Sequence, residues 1–535
     1  MAEKKHPNVV VFCTDEQPGH WLGCMGNPDL KTPNIDELAK NGVLFQRAYC
    51  NTPICMASRA TMFTGLPTSV NGSRTNGIPL LEGQDPTLPG ILSQAGYETM
   101  SIGKLHLTNW EIGTHHAPEY TDIPPYKFPE SETHWRDGTQ DHIPPGYFGL
   151  NTIDFIGNHG WYCHGDYTNW LKANHPDQYE KFVSRETSKP SLCYDDARYG
   201  NVYATIDDKY YYNEWIKDRT IARIDAVPPG KPFFAWVSFP DPHWPYGPPA
   251  PYNTMYDPEK IEKPVAWDDD KAEMPDFFHK EWYTQRKMPS VDGQDTDRTL
   301  EQVMEAKALS YGMTTAVDTS IGQIVQHLKD TGLYDDTVFI FLSDHGDNFG
   351  DHKMFNKGPF HYEGCLHIPF VVCYPKKLKR GLKSDTLVQT MDFMPTVLDL
   401  AGVDYPVPND IPDWQGFAPD SFPLYDTNSL SRLPGKSLVP VMTGEEESVH
   451  DYILVEDDDD IRRIMLRTLI TPNYKLGIFL NREDGILFDR AKDPEERHNA
   501  WNDPAYQEIK AKLMEQMAHA LLSNVNRVRR RISIA

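Results

Sequence analysis

The feature that most constrains this chain is a strand-length run near its start, Asn8-Val9-Val10-Val11-Phe12-Cys13-Thr14, apolar at consecutive positions. A strand with one wet face alternates apolar and polar residues. A strand apolar throughout is buried on both faces, as in a parallel sheet covered by helices. Comparable runs recur at residues 97–104, 232–239 and 337–342. Helical patterns lie between them. Thr32, Pro33 and Gly42 mark the cap, first turn and stop of one helix, residues 88–96 form a second, and residues 300–333 a long third. This alternation predicts an α/β fold: a large, doubly wound, mostly parallel sheet flanked by helices.

The chain has 535 residues, enough for that domain and a smaller one. Residues 452–455, 463–467, 474–479 and 485–489 have the spacing of a small antiparallel sheet, closed by a helix at 504–524. We therefore expect a catalytic domain over 1–445 and a C-terminal α+β subdomain with a basic tail over 446–535. Residues 110–210, rich in Pro, Tyr, Trp and His, read as a loop-rich insertion over the sheet, and 405–435 as a linker. The acidic run at 456–460 reads as a solvated turn.

No apolar run approaches a membrane span, so no membrane partner is expected. The net charge of −25 argues against nucleic acid. No apolar leader precedes the first strand, which places a full-length chain in the cytoplasm. The 8 cysteines lack a framework spacing and fit free thiols.

Each apolar run ends in residues that do chemistry. The ends are Asp15-Glu16-Gln17, Gly103-Lys104-Leu105-His106, Pro242-His243-Trp244-Pro245 and Ser343-Asp344-His345-Gly346. Ligands of open α/β sheets bind at the carboxyl ends of the strands. Taken singly, these residues have plain structural uses: Asp15 capping a turn, His106 satisfied in a core, Lys104 and Lys357 solvated. Taken together they bring carboxylates, imidazoles and ammonium groups to one edge. Cys55-Met56-Ala57-Ser58-Arg59 adds a nucleophile at the start of a helix formed from Ser58 onward.

These motifs, in this order, resemble the type I sulfatases of the alkaline phosphatase superfamily. Cys-x-Ala-x-Arg at 55–59 is similar to the family signature, Gly-Lys-x-His to residues 103–106, and Pro-His-x-Pro to residues 242–245. Asp344-His345-Gly346 with Lys357, and Leu487-Phe488-Asp489 through Asp493-Pro494-Glu495-Glu496 to Asn499, complete the match. The resemblance implies hydrolysis of a sulfate monoester, on a small molecule or carbohydrate, through formylglycine made from Cys55 by a maturation enzyme. It implies one divalent cation, Ca²⁺ first with Mg²⁺ or Mn²⁺ as alternatives, held by Asp15, Glu16 or Gln17, residue 55, Asp344 and His345. Arg59 would hold the hydrated aldehyde, Lys104 and Lys357 the sulfate, and Asn76 and Trp244 the substrate. His243 with Lys357 would protonate the leaving alcohol, and His106 would take the proton whose loss releases sulfate.

Two rival readings stand beside it. One is a phosphonate monoester or phosphodiester hydrolase of the same superfamily, which by this resemblance lacks Gly-Lys-x-His. The other is a non-catalytic metal-binding relative. The chain departs from the family pattern at Ala57, Glu16 and His367. The histidines at 115, 116, 134, 142, 159 and 164 read as scattered polar loop residues. The last segment, 524–535, carries four arginines and suits an arm docked on a second subunit, hence a homo-oligomer.

Overall fold

The computed structural model describes residues 6–110, 128–192, 200–269, 275, 299–405, 433–459 and 464–525. The basic tail, most of the linker and parts of the insertion lie outside the described residues.

The main sheet runs β10-β2-β9-β7-β1-β6-β3-β4-β5, with β8 against β2. Its strands are β1 (Asn8–Thr14), β2 (Val43–Tyr49), β3 (Glu98–Lys104), β4 (Thr152–Gly157), β5 (His164–Gly165) and β6 (Phe233–Ser238). β7 (Thr337–Ser343), β8 (His367–Ile368), β9 (Phe370–Cys373) and β10 (Leu382–Gln389) complete it. β1 pairs in parallel with both β6 and β7, and β6–β3–β4 continue in parallel. β9 runs antiparallel between β7 and β2. The expected doubly wound, mostly parallel α/β sheet is present.

Both faces of β1 are buried, as its unbroken apolar run requires. Val9, Val11 and Cys13 pack with Phe63, Trp236 and Phe393 on one face. Val10 and Phe12 pack with Ile35, Val317 and Ile321 on the other. Cutting Phe12 back to Ala would cost about 3–5 kcal/mol. Among the described residues, no helix is long and apolar enough to cross a membrane.

The first helix spans Pro33–Lys40, with Asn41 rather than Gly42 at its end. Gly42 is needed for a close approach: a Cβ there would lie 2.2 Å from the Val372 carbonyl oxygen. β4 lies inside the stretch read as an insertion and extends the sheet. Its pattern is broken by Asp154, a buried charge neutralised by Arg219 at 2.8 Å and Arg223 at 2.7 Å.

The second sheet, β11 (Ile453–Asp459), β12 (Ile464–Ile470), β13 (Tyr474–Phe479) and β14 (Gly485–Asp489), is antiparallel in chain order, with a helix at Gln507–Val525. Here the expected solvated turn is corrected. Glu456, Asp457, Asp458 and Asp459 are buried within β11. Glu456 accepts from the Thr68 hydroxyl at 2.8 Å and from the Ser69 amide at 2.9 Å and hydroxyl at 2.8 Å. Asp458 pairs with Arg467 at 2.7 Å.

Candidate active site

Because β4, β3, β6, β1 and β7 are parallel, their carboxyl ends open on one edge. β1 delivers Asp15 and β3 ends at Lys104. β6 leads into the turn at Pro240–Pro245, and β7 into Asp344-His345. Asp241 anchors the His243 turn by accepting from Asn213 at 2.8 Å and from the Tyr212 hydroxyl. Beside this edge lies the helix Cys55–Thr64, every residue of which is buried. It begins at Cys55 itself, three residues earlier than the sequence pattern indicated. Asn76 accepts from the Met56 amide at 3.2 Å, so it braces the helix end that presents Cys55.

Cys55 Sγ accepts from Lys357 Nζ at 2.8 Å and lies 3.2 Å from His345 Nε2. Burial, opposed by Lys357, pushes the thiol up to about 11. Arg59 is occupied with bracing. Its Nε donates to Asp344 at 2.8 Å and its Nη1 to Ser238 Oγ at 2.9 Å and the Lys104 carbonyl at 3.1 Å. Its Nη2 has no hydrogen-bond acceptor and lies 4.0 Å from Asp15 Oδ2. Lys104 Nζ pairs with Asp15 Oδ2.

His243 Nε2 lies 2.8 Å from Glu16 Oε2 and 3.0 Å from Lys357 Nζ. Burial and then the Lys357 charge hold His243 well below the ordinary imidazole range. Trp244 is half-buried with its ring 4.8 Å from that of His243. His106 adopts a left-handed conformation (φ 54°) and lies flat on Trp110, ring centroids 3.4 Å apart. Its Nδ1 is buried without a hydrogen-bond partner. His367 hydrogen-bonds the Gln46 carbonyl at 2.9 Å, and its ring fills the space beside Gly19, closing off the segment that follows Gln17.

Donor atoms of Asp15, Cys55, Asp344 and His345 lie within 4.8 Å of one another. Asp15 Oδ1, Glu16 Oε1 and Gln17 Oε1 are buried acceptors with no donor. Uncompensated buried acceptors are costly, and a cation in this corner would satisfy them. Glu16 stands toward His243 and Lys357 rather than with the four converging groups.

One site residue escaped the sequence reading. His159, taken for a loop histidine, lies two positions beyond β4, with Nε2 3.0 Å from Asp15 Oδ2 and 2.6 Å from Lys104 Nζ. Its ring stacks on His243 at 3.5 Å and 4°. The signal was the same one used elsewhere, a polar residue just past a strand, hidden because Asp154 masked the strand. Asp15, His159 and His243 also converge within 4.8 Å. Two lysine amines already occupy that corner, Lys104 at His159 and Lys357 at His243, which disfavours a second cation there.

The sulfatase family profile matches residues 7–403, about three quarters of the chain. The chain belongs to the sulfatase family. A second profile, the C-terminal region of N-sulphoglucosamine sulphohydrolase, matches residues 350–522 of this sulfatase. An arylsulfatase of Clostridium perfringens is 28% identical, aligned over 94% of this chain and 92% of its own length. An N-acetylglucosamine-6-O-sulfatase of Bacteroides thetaiotaomicron is 26% identical over 96% of this chain and 86% of its own. In fold, the sulfatase is similar to the phosphonate monoester hydrolase of Agrobacterium radiobacter (TM-score 0.77, 24% identity, 97% and 96% of the two chains covered). The protein is a sulfuric ester hydrolase.

Proposed function

We propose that this sulfatase cleaves a sulfate monoester of a small molecule or carbohydrate through residue 55 converted to formylglycine, beside one divalent cation. The observation that carries the reading is the position of Cys55: first in a buried helix, contacted by Lys357 and His345, within reach of Asp15 and Asp344. The unmodified thiol is ill suited to the task. It is held protonated by burial, and a sulfated cysteine has no second hydroxyl through which to release sulfate. Formylglycine supplies a hydrated aldehyde, a hydroxyl nucleophile that later frees sulfate by reverting to the carbonyl.

Asp15, Asp344 and His345, with Glu16 or Gln17, would hold the cation, which offsets charge on the sulfate oxygens. Their oxygens favour Ca²⁺, with Mg²⁺ or Mn²⁺ as alternatives. Lys104 and Lys357 would bind the sulfate by charge-assisted hydrogen bonds. Arg59 fixes Asp344 against the helix. His243, with Lys357 3.0 Å from its Nε2, would protonate the leaving oxygen. The free Nδ1 of His106 takes the proton that releases the product.

Mass spectrometry of the Cys55 peptide from active enzyme tests the reading. The aldehyde or its hydrate is expected; active enzyme bearing only thiol would overturn it. A phosphonate monoester hydrolase is the second reading, since the fold is shared with the Agrobacterium radiobacter enzyme of that name. Lys104 and His106, both at the site, favour the sulfatase. The ratio of kcat/KM for nitrophenyl sulfate over nitrophenyl phenylphosphonate decides, and a ratio below one adopts the second reading.

A further inference from the structure

We propose that His159 is a positioning residue for ester cleavage: its ring holds the plane of His243, and its Nε2 pins the Lys104 amine. The proposal rests on the reading of His243 as the proton donor to the leaving group.

His243 acts only if Nε2 faces the leaving oxygen while staying near Lys357. Rotation about its last side-chain torsion would carry Nε2 away. The ring edge is held by the Nδ1 hydrogen bond to the Trp244 carbonyl and by Glu16 2.8 Å from Nε2, but these leave its face open, and the Trp244 ring lies 40° out of plane at 4.8 Å. The face of His243 is instead covered by His159, centroids 3.5 Å apart and planes within 4°. A ring stacked this closely blocks that rotation.

His159 is itself held on three sides. Trp110 meets it edge-on at 5.3 Å and 70°. Lys104 Nζ lies 2.6 Å from Nε2, and Asp15 Oδ2 lies 3.0 Å from it. The turn that aims it is built for the purpose. Asn158 adopts a left-handed conformation (φ 67°), and its side chain accepts from the His159 amide at 3.0 Å. An apolar ring would fill this space equally well. The imidazole adds a nitrogen placed between the lysine and the carboxylate expected to face sulfate and cation.

The test uses full-length enzyme with residue 55 converted. kcat and KM are measured on nitrophenyl sulfate, whose phenolate leaves unaided, and on a simple alkyl sulfate, whose alkoxide needs a proton. The variants are H159A, H159F, H243A and the H159A/H243A double. H159A is expected to lose about tenfold more kcat on the alkyl sulfate than on nitrophenyl sulfate. H159F keeps the stacked ring, so it should retain alkyl-sulfate kcat and abolish that discrimination, while KM rises on both substrates as Lys104 loses its partner. The double variant should be no more selective than H243A, because His159 acts through His243.

Equal losses of H159A on the two substrates, with H243A selective, would overturn the proposal and leave the acid reading standing. An unselective H243A would overturn the acid reading and the proposal with it. If H159A melts early, H159F decides alone. Retained alkyl-sulfate kcat with raised KM supports the proposal, and an unchanged KM or a selective loss of alkyl-sulfate kcat overturns it.

Discussion

Two acidic runs sit in this molecule at similar depth, and their glutamates do opposite work. Asp15-Glu16-Gln17 follows β1, and Glu456-Asp457-Asp458-Asp459 lies within β11; all seven residues are buried. Glu456 meets three donors and Asp458 an arginine, while both Asp457 carboxylate oxygens lack a hydrogen bond and have His361 3.5 Å away. In the first run Asp15 Oδ1, Glu16 Oε1 and Gln17 Oε1 meet none. Burial alone does not distinguish a functional carboxylate from a structural one. What distinguishes Glu456 from Asp15 and Glu16 is that the fold supplies donors to both oxygens of the first and leaves an oxygen of each of the others open for something that is not protein.

The comparison breaks first at the centre of the open cluster. Cys55→Ala should lower kcat by at least about a thousandfold, with unchanged circular dichroism, because nothing else there can serve as nucleophile. Residual turnover near wild type would mean that the convergence on Cys55 is not the reaction centre.

Asp15→Asn should come next. If the open acceptors await a cation, this variant loses stoichiometric divalent metal by elemental analysis and about a hundredfold or more in kcat/KM. Chelation of the wild type should do the same, reversed by adding Ca²⁺, Mg²⁺ or Mn²⁺. Active protein without bound metal would show that the orphaned oxygens are tolerated for another reason.

Glu16→Gln against Glu456→Gln tests the contrast directly. Glu16→Gln should leave the melting temperature unchanged or raised, since burial pushes that carboxyl up to about 7 and the amide removes the charge. Its alkyl sulfatase activity should fall about tenfold through lost contact with His243. Glu456→Gln should do the reverse: about 2–3 kcal/mol less stable by denaturant unfolding, with kcat per folded molecule intact. Equal behaviour of the pair would dissolve the distinction.

Much of the open cluster was legible in the sequence because its signal is local. An unbroken apolar run announces a strand buried on both faces, and the polar residue at its end needs a reason to be there. That logic placed Asp15, Lys104, His243 and Asp344 on one edge. Glu456 was misread as part of a solvated turn because its partners are remote. Glu456 is explained by Thr68, 388 positions away, and no local pattern links them. His159 was missed for the same reason one step removed. Its strand is interrupted by Asp154, which is tolerable only because Arg219 and Arg223, 65 and 69 positions on, neutralise it. Asn76 accepts from the amide next to Cys55 and Arg59 lies one turn along its helix, and their hydrogen-bonding partners appear only in three dimensions.

The smallest effect concerns a carboxylate that sits between the two classes. Glu130 Oε1 accepts from the Leu107 and Thr108 amides and the Tyr147 hydroxyl, each at 3.1 Å, and Oε2 from Trp110 Nε1 at 3.3 Å. It therefore fastens the loop that carries His106 and Trp110. It has donors, as Glu456 does, yet burial outweighs them and pushes its pKa from 4.5 to about 7. A folded-state value above the unfolded one means that the native protein binds this proton more tightly. The stability it contributes is then full below about pH 4.5 and is lost as pH rises through about 7. Glu130→Gln cannot titrate, so wild-type stability minus variant stability should fall by at most about 3 kcal/mol across that window and stay flat above it. Urea unfolding of both proteins between pH 4.5 and 8 measures the difference. A difference that stays level would show that the four donors hold Glu130 ionised, placing it with Glu456 among the satisfied groups. A difference that grows with pH would show that the anion is what the loop requires.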